Sequence, residues 1–260
     1  MSANLPGFSA NLGFLWTELT LPDAIRAAAR AGFSAVECHW PYEVEPQEVR
    51  QALDETQLPM LGLNTLRGDV AKGENGLCAL PGRERDAIAS IDQAVAYASE
   101  VGAQAIHVMA GNSSGPDAHQ VFITNLQYAC AKATAVGITI LIEPLNHHDA
   151  PDYFLKTSEQ AMTIIDQVAQ DNLKLMFDCY HLQIMEGDIT NRLEKLLPSI
   201  GHIQFASVPD RSEPDHGELN YAHIFATLSN LGYAKPLGAE YRPANSTEAG
   251  LGWMEPFVAR

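Results

Sequence analysis

The sequence predicts a single-domain (β/α)8 TIM barrel of the α/β class, and three observations carry that expectation. The first is the stretch Ile138-Thr139-Ile140-Leu141-Ile142-Glu143-Pro144, in which an almost wholly apolar, β-branched run meets one carboxylate and stops at a proline. A continuous apolar run bounded by breakers reads as a strand buried on both faces, the kind found in parallel sheets. Pro144 biases Glu143 toward extended geometry, so Glu143 belongs at the carboxyl end of that strand, the face of a barrel where chemistry is done. The second observation is that strand-like and helix-like segments alternate eight times, the signature of right-handed βαβ units. The third is length, since 260 residues match the roughly 250 typical of one closed barrel. An open doubly wound sheet is the alternative. No G-x-G-x-x-G follows the first strand and no G-x-x-x-x-G-K-[ST] occurs, so nucleotide binding has no support in the sequence.

The elements are justified in order. Residues 8–12 form a short strand, and 22–31 a helix with Pro22 in its first turn and Gly32 at its end. Strands follow at 35–38 and 59–64, separated by a helix over 46–56. Residues 67–83 break the rhythm. They are rich in glycine and polar residues and contain Asn75-Gly76, a strong hairpin-turn signal, so a small hairpin or ordered loop is expected over the mouth of the sheet. The helix over 84–101 places Ile88, Ile91, Val95 and Ala98 on one face. Strand four covers 105–109, a helix runs over 117–136, and strand five is the opening stretch. A helix over 158–168 has Thr157 as its N-cap. Strand six covers 173–178, a short helix 191–197, strand seven 202–206, a helix 221–231, strand eight 236–240, and a last helix 244–254. No linker, low-complexity segment or longer repeat interrupts this pattern.

Composition narrows the function classes. The net charge of −16 argues against a nucleic-acid footprint. It also means that an anionic substrate needs a local cation. Cys38, Cys78, Cys130 and Cys179 are scattered without a C-x-x-C pair, as free thiols in a reducing compartment would be. Neither a basic-then-apolar leader nor a membrane-spanning stretch is seen, so a cytoplasmic protein without membrane association is expected.

Four consecutive strands end on an oxygen-bearing side chain: Glu143, Asp178, Gln204 and Glu240, spaced by 35, 26 and 36 residues, about one βα unit each. In a barrel such ends converge on one pocket. One acidic strand end by itself would merely cap the next helix. Three carboxylates and an amide oxygen together repel one another unless a cation lies between them. Hard oxygen donors with no thiolate suit Mg²⁺ or Mn²⁺, with Co²⁺ and Zn²⁺ less favoured. His181, three residues after Asp178, and Arg211, after strand seven, are expected at the substrate, Arg211 as a guanidinium fork on a carboxylate. His39, Trp40, Asn64 and Arg67 follow strands and line the same mouth. His107 falls within strand four, and His147 and His148, adjacent on an extended chain, are expected to point opposite ways rather than to share a metal.

Two glutamates beside a divalent cation suit the movement of a proton between adjacent carbons of a hydroxy-carbonyl compound. A carboxylate removes the carbon-bound proton, and the cation stabilises the developing enediolate. Direct ligation lowers a carboxylate's pKa, which weakens it as a base.

Phe8-Ser-Ala-Asn-Leu12, Ala79-Leu-Pro-Gly-Arg83, Leu141-Ile-Glu-Pro-Leu-Asn146, Phe177-Asp-Cys-Tyr-His181, Gly201-His-Ile-Gln204, Gly217-Glu-Leu-Asn-Tyr221, Gly238-Ala-Glu-Tyr241 and Thr247-Glu-Ala-Gly-Leu251 together resemble the hydroxypyruvate isomerase family, one of the xylose-isomerase-like barrels. The resemblance runs from Phe8 to about Trp253, with its motifs at strand ends in order. It implies that Glu143 and Glu240 are the proton donor and acceptor, that Glu143, Asp178, Gln204 and Glu240 bind Mg²⁺ or Mn²⁺, and that hydroxypyruvate is converted to 2-hydroxy-3-oxopropanoate. The chain departs from the family after Gln204, where Ala206 is followed by Ser207-Val208, at Asp210, where a histidine often precedes the arginine, and at His39-Trp40, which replaces a more apolar pair. These positions face substrate, so 2-oxo-tetronates and free ketoses are alternative substrates. A metal-dependent dehydratase, a DNA-repair endonuclease and a non-catalytic ligand-binding barrel are the other classes. The expected partner is a small hydroxy-keto acid or sugar. A homo-oligomer suits a barrel of this kind, although no stretch specifies one.

Overall fold

The computed structural model describes residues 7–257. Its eight strands are β1 (Phe8–Asn11), β2 (Ala35–Glu37), β3 (Gly62–Asn64), β4 (Ala105–His107), β5 (Thr139–Ile142), β6 (Leu173–Asp178), β7 (Ile200–Phe205) and β8 (Leu237–Ala239). They form one sheet in the order β2-β1-β8-β7-β6-β5-β4-β3, with every neighbouring pair parallel. The two outer strands meet through a bridge between Val36 and Met60, with the Leu61 N–H donating to the Val36 carbonyl at 2.7 Å and the Cys38 N–H to that of Gly62 at 3.1 Å. The sheet is therefore a nearly closed barrel, as the alternation of elements predicts.

Among the described residues nine α-helices surround it: α1 (Leu21–Arg30), α2 (Pro46–Thr56), α3 (Glu84–Val101), α4 (Gly115–Thr134), α5 (Ser158–Val168), α6 (Cys179–Met185), α7 (Ile189–Leu196), α8 (Tyr221–Asn230) and α9 (Thr247–Gly250). The main core lies between sheet and helices, where Ile140, Ile142, Phe177, Ile203 and Phe205 are buried. Side chains of the opposite strand parity turn into the barrel. Leu141 and Met176 form a small apolar cluster there with Ala105. Two residues further along the same faces come Glu143 and Asp178, so the strand period that buries Leu141 also aims Glu143 inward.

The helix over 158–168 has its predicted bounds, and the Thr157 hydroxyl accepts the Gln160 N–H as the expected N-cap. Two expectations are corrected. Helix α6 follows β6 with no intervening loop, because Asp178 ends the strand and also caps the helix, its Oδ1 accepting the Tyr180 N–H at 2.8 Å. The helix expected over 244–254 shrinks to α9 and a 3-10 turn, Leu251–Met254, since Gly250 and Gly252 give little helical support. Residues 67–83 take the second of the two expected forms, an ordered loop, without a hairpin. The loop contains a 3-10 turn, Val70–Lys72, and Gly76 makes its bridge to Ala110 after β4 instead of to a strand of its own. Gly76 has φ +114°, and a Cβ there would lie 2.7 Å from the Met109 carbonyl oxygen, so Asn75-Gly76 serves a close backbone approach. All four cysteines are free and buried. No helix among the described residues is long and apolar enough to cross a membrane.

Candidate functional site

The carboxyl ends of the strands converge on a buried polar layer. Glu143, Asp178, Gln204 and Glu240 are all buried, and one ligand atom each from Glu143, Asp178, His181 and Glu240 lie within 4.8 Å of one another. The sequence brings them together through strand geometry. Glu143 follows β5, Asp178 ends β6, Gln204 is the penultimate residue of β7 and Glu240 follows β8. His181 joins them from the first turn of α6, its Nε2 lying 3.6 Å from Asp178 Oδ2 and 3.9 Å from Glu143 Oε1. Its Nδ1 accepts the Asn146 N–H at 3.0 Å, which turns Nε2 toward the carboxylates.

The electrostatics divide the cluster. Burial, then the charges of Glu240 and Asp178, raise the Glu143 carboxyl well above the ordinary carboxylate range. Burial and Glu240 push Asp178 up to about 7. Burial works against ionisation at Glu240 as well, but the Arg211 guanidinium and His39 outweigh it and hold this carboxyl at about 2. Arg211 Nη2 donates to Glu240 Oε2 at 2.7 Å, and Oε1 meets His39 Nε2 at 2.9 Å and Asn11 Nδ2 at 3.0 Å. Glu143 Oε1, Asp178 Oδ2 and Gln204 Oε1 are buried without a hydrogen-bond partner in the described structure. An unpartnered buried acceptor is costly. Glu143 and Asp178 belong to the cluster and Gln204 is the register partner of Asp178 on β7, so these buried oxygens could hold a metal ion.

The remaining predicted residues divide. Arg211 reaches the cluster but is not a free fork. Its Nη1 donates to Asp149 Oδ2 at 3.1 Å and its Nη2 to Glu240, and its guanidinium lies 4.9 Å from the rings of both Phe14 and Tyr180. It is held there by a backbone φ of +56° and by its N–H donating to the Ser207 carbonyl. His39 reaches Glu240, while Trp40, partly exposed, donates its indole N–H to the Thr65 carbonyl. Arg67 stacks 5.0 Å over Trp40 and donates to Asn75 Oδ1, outside the cluster. Asn64 contributes backbone bonds, its N–H to the His39 carbonyl and its own carbonyl to the Tyr42 hydroxyl. His147 and His148 lie in a turn with ring centroids 4.0 Å apart, so the expectation that they point apart fails. His147 Nδ1 lies 3.1 Å from Met185 Sδ, not against the carboxylates.

Sequence reasoning passed over Asn11, Glu37 and His202 and placed His107 within strand four without a role. His107 Nδ1 lies 3.5 Å from Glu143 Oε2, and burial lowers its pKa to about 4. Glu37 accepts from His202, Gln204 and Asn11. The signal was present, because Asn11, Glu37 and His107 each end a strand, as Asp178 does. The strand-end rule applied to β5–β8 alone missed the other half of the ring.

Comparison with known proteins agrees with this geometry. Residues 25–257 match the model of a family described as "Xylose isomerase-like TIM barrel". The chain is 45% identical to the 2-oxo-tetronate isomerase of Cupriavidus necator, with 98% of this chain and 100% of that one covered. It is 38% identical to the hydroxypyruvate isomerase of Escherichia coli, covering 96% and 98%. The crystal structure of a Brucella melitensis protein titled "AP endonuclease, family 2" superposes with a TM-score of 0.94 at 38% identity, covering 98% and 100%. With a barrel of eight parallel strands, a ring of strand-end polar residues and full-length likeness to both isomerases, the chain belongs to the xylose isomerase-like TIM barrel family.

Proposed function

We propose that this chain is a divalent-metal-dependent isomerase that moves a proton between carbons 2 and 3 of a short 2-oxo-3-hydroxy acid, through an enediolate of the substrate. The observation that carries this reading is the trio of unpartnered buried oxygens on Glu143, Asp178 and Gln204 beside a second glutamate, Glu240. Glu143, Asp178, Gln204 and Glu240 would hold the cation, and His181 lies beside Asp178 and Glu143. When bound, the cation supplies Lewis-acid charge that offsets the negative charge developing on the two substrate oxygens.

The protein's own residues do the rest. Glu143 and Glu240 stand on strands separated by β6 and β7, so they approach the reacting carbons from different sides. One takes the proton from carbon 3 and a carboxylic acid returns a proton to carbon 2, while the hydroxyl proton passes from the oxygen on carbon 3 to that on carbon 2. Arg211, clamped between Phe14 and Tyr180, keeps Glu240 in place. His181, its Nε2 turned toward Asp178 and Glu143, would offer a hydrogen bond to a substrate oxygen. The layer is buried, so water is kept from the carbanionic carbon.

Hydroxypyruvate is the smallest such acid, and 2-oxo-tetronate differs only by a hydroxymethyl group on carbon 3. The 45% identity to a 2-oxo-tetronate isomerase gives the four-carbon acid standing equal to hydroxypyruvate. Mn²⁺-loaded protein incubated in D₂O with each acid, and with a panel of free ketoses, tests the reading by NMR. Deuterium uptake and isomer formation with one or both acids, lost in Glu143→Gln and Glu240→Gln, is the expected result. Loss of water instead of isomer formation would replace the reading with a dehydratase. Exchange only with free ketoses would replace the substrate class. The net charge of −16 argues against duplex DNA as a substrate.

A further inference from the structure

Beneath the carboxylate cluster lies a second polar layer, and its centre is Glu37. This carboxylate is 3% exposed and uses both oxygens. Oε2 meets His202 Nε2 at 2.6 Å. Oε1 accepts from Gln204 Nε2 at 2.8 Å and from Asn11 Nδ2 at 3.1 Å. Asn11 gives its other amide proton to Glu240 Oε1 at 3.0 Å, while its own Oδ1 accepts the Gly13 N–H. The network thus joins β1, β2, β7 and the end of β8 across the barrel axis.

An ionised carboxylate is acceptor-only, so whichever end of the Gln204 amide faces Glu37 must be the NH₂. The carbonyl oxygen is the atom left over; it is buried and unpartnered, on the residue whose register partner is Asp178 of the cluster. Both Glu37 oxygens face nitrogen donors, from His202, Gln204 and Asn11, the surroundings of an acceptor-only carboxylate. The fold reserves space for this arrangement. A Cβ on Gly238 would lie 2.8 Å from Gln204 Cγ, from Glu37 Oε1 and from His202 Nε2 alike. Gly238 has no left-handed backbone to explain it, so its lack of a side chain is what lets the three groups meet.

We propose that Glu37 is a positioning residue that fixes the side-chain amide of Gln204 with its carbonyl oxygen turned toward the cation, before any cation arrives. The proposal rests on the reading of Gln204 as a ligand. An amide left free to flip would present its NH₂ to the cation half of the time. A carboxylate at position 204 would face Glu37 as a like charge. Glutamine is the residue that can donate downward and accept upward.

The test reads Mn²⁺ binding by the EPR signal of the free ion, without turnover. Glu37→Gln offers Gln204 either an acceptor or a donor and so releases the amide. Its expected effect is a loss of about 10- to 100-fold in Mn²⁺ affinity, the usual range for an outer-shell partner. Gly238→Ala, which crowds the network without altering any ligand, is expected to weaken Mn²⁺ in the same direction. Unchanged affinity in a folded Glu37→Gln protein overturns the proposal. Gln204→Leu separates the two failures. If it leaves Mn²⁺ affinity intact, Gln204 is no ligand and the underlying reading falls. If it weakens Mn²⁺ while Glu37→Gln does not, only the positioning role falls. The unaltered protein supplies a check that needs no variant to fold. The Gln204 side-chain NH₂ should exchange slowly with solvent by NMR, in EDTA as in Mg²⁺. Rapid exchange in EDTA would show that the amide is not held in advance and would overturn the proposal.

Discussion

The two sides of the polar layer are built on opposite principles. On the side of β5 and β6, Glu143 Oε1 and Asp178 Oδ2 are buried without hydrogen bonds, and both carboxyls are pushed upward in pKa. On the side of β8, β1 and β2, both oxygens of Glu240 and both of Glu37 are hydrogen-bonded, and both carboxyls are held down. Burial is nearly the same on the two sides, so it does not explain the difference. Donors do: Arg211, His39, Asn11, His202 and Gln204 all serve the second side. The lesson is that donors fix a buried carboxylate in place, Glu37 as a support and Glu240 in its position beside the cluster, whereas an unsatisfied one is half of an interaction whose other half comes from solution. Gln204 belongs to both sides, its NH₂ to the satisfied half and its oxygen to the open half.

Substitutions break this contrast to different extents. The largest effect is expected at the paired glutamates. Glu143→Gln and Glu240→Gln should each lower the isomerisation rate by about 10²- to 10⁴-fold, the usual worth of a positioned acid or base, measured as deuterium incorporation under saturating Mn²⁺. Next comes a pair of opposite stability effects. Asp178→Asn removes a buried like charge while its Oδ1 can still accept the Tyr180 N–H. It should stabilise the metal-free protein by about 1–3 kcal/mol, since a neutral amide avoids the cost of an uncompensated buried charge. It should also lose most of the response to Mn²⁺. Glu37→Gln should instead destabilise the metal-free protein by about 1–3 kcal/mol, the worth of hydrogen bonds to a charged group. Thermal unfolding in EDTA checks both signs; two destabilisations of equal size would erase the contrast. For the unaltered protein, Mn²⁺ at 100 times its dissociation constant should raise stability by about 2.7 kcal/mol, seen as a higher unfolding temperature that EDTA reverses. The smallest effect is expected far from the layer. Thr157→Ala, which removes the α5 N-cap, should cost about 1 kcal/mol and leave Mn²⁺ binding and turnover unchanged.

The open half of the layer was legible in the sequence and the satisfied half was not, for a physical reason. Glu143, Asp178 and Gln204 end consecutive strands, so one βα spacing relates them, and it reaches Glu240 of the satisfied half as well, though not that residue's donors. Asn11, Glu37 and His202 act through partners 26 to 229 residues away, and pairing at such a distance follows from barrel closure rather than from any local pattern. Arg211 shows the same limit. Its position after β7 was readable, but its engagement by Asp149 and Glu240 depends on a left-handed turn that no residue in 207–212 advertises. Helix α6 was hidden because Asp178 does two jobs, ending the strand and capping the helix, with no turn residue between. The eight-fold alternation, by contrast, is repeated so often that a misplaced strand edge, as at β3, changes nothing in the barrel.

The most direct test titrates Mn²⁺ into metal-free protein in D₂O containing hydroxypyruvate and 2-oxo-tetronate, following deuterium at carbons 2 and 3 by NMR and free Mn²⁺ by EPR. Exchange should be absent at the start, rise in step with bound Mn²⁺, and level off at one ion per chain. Exchange at full rate in EDTA, or Mn²⁺ bound at one equivalent with no exchange on either acid, would contradict the central claim that the unpartnered oxygens of Glu143, Asp178 and Gln204 form a metal site for proton transfer.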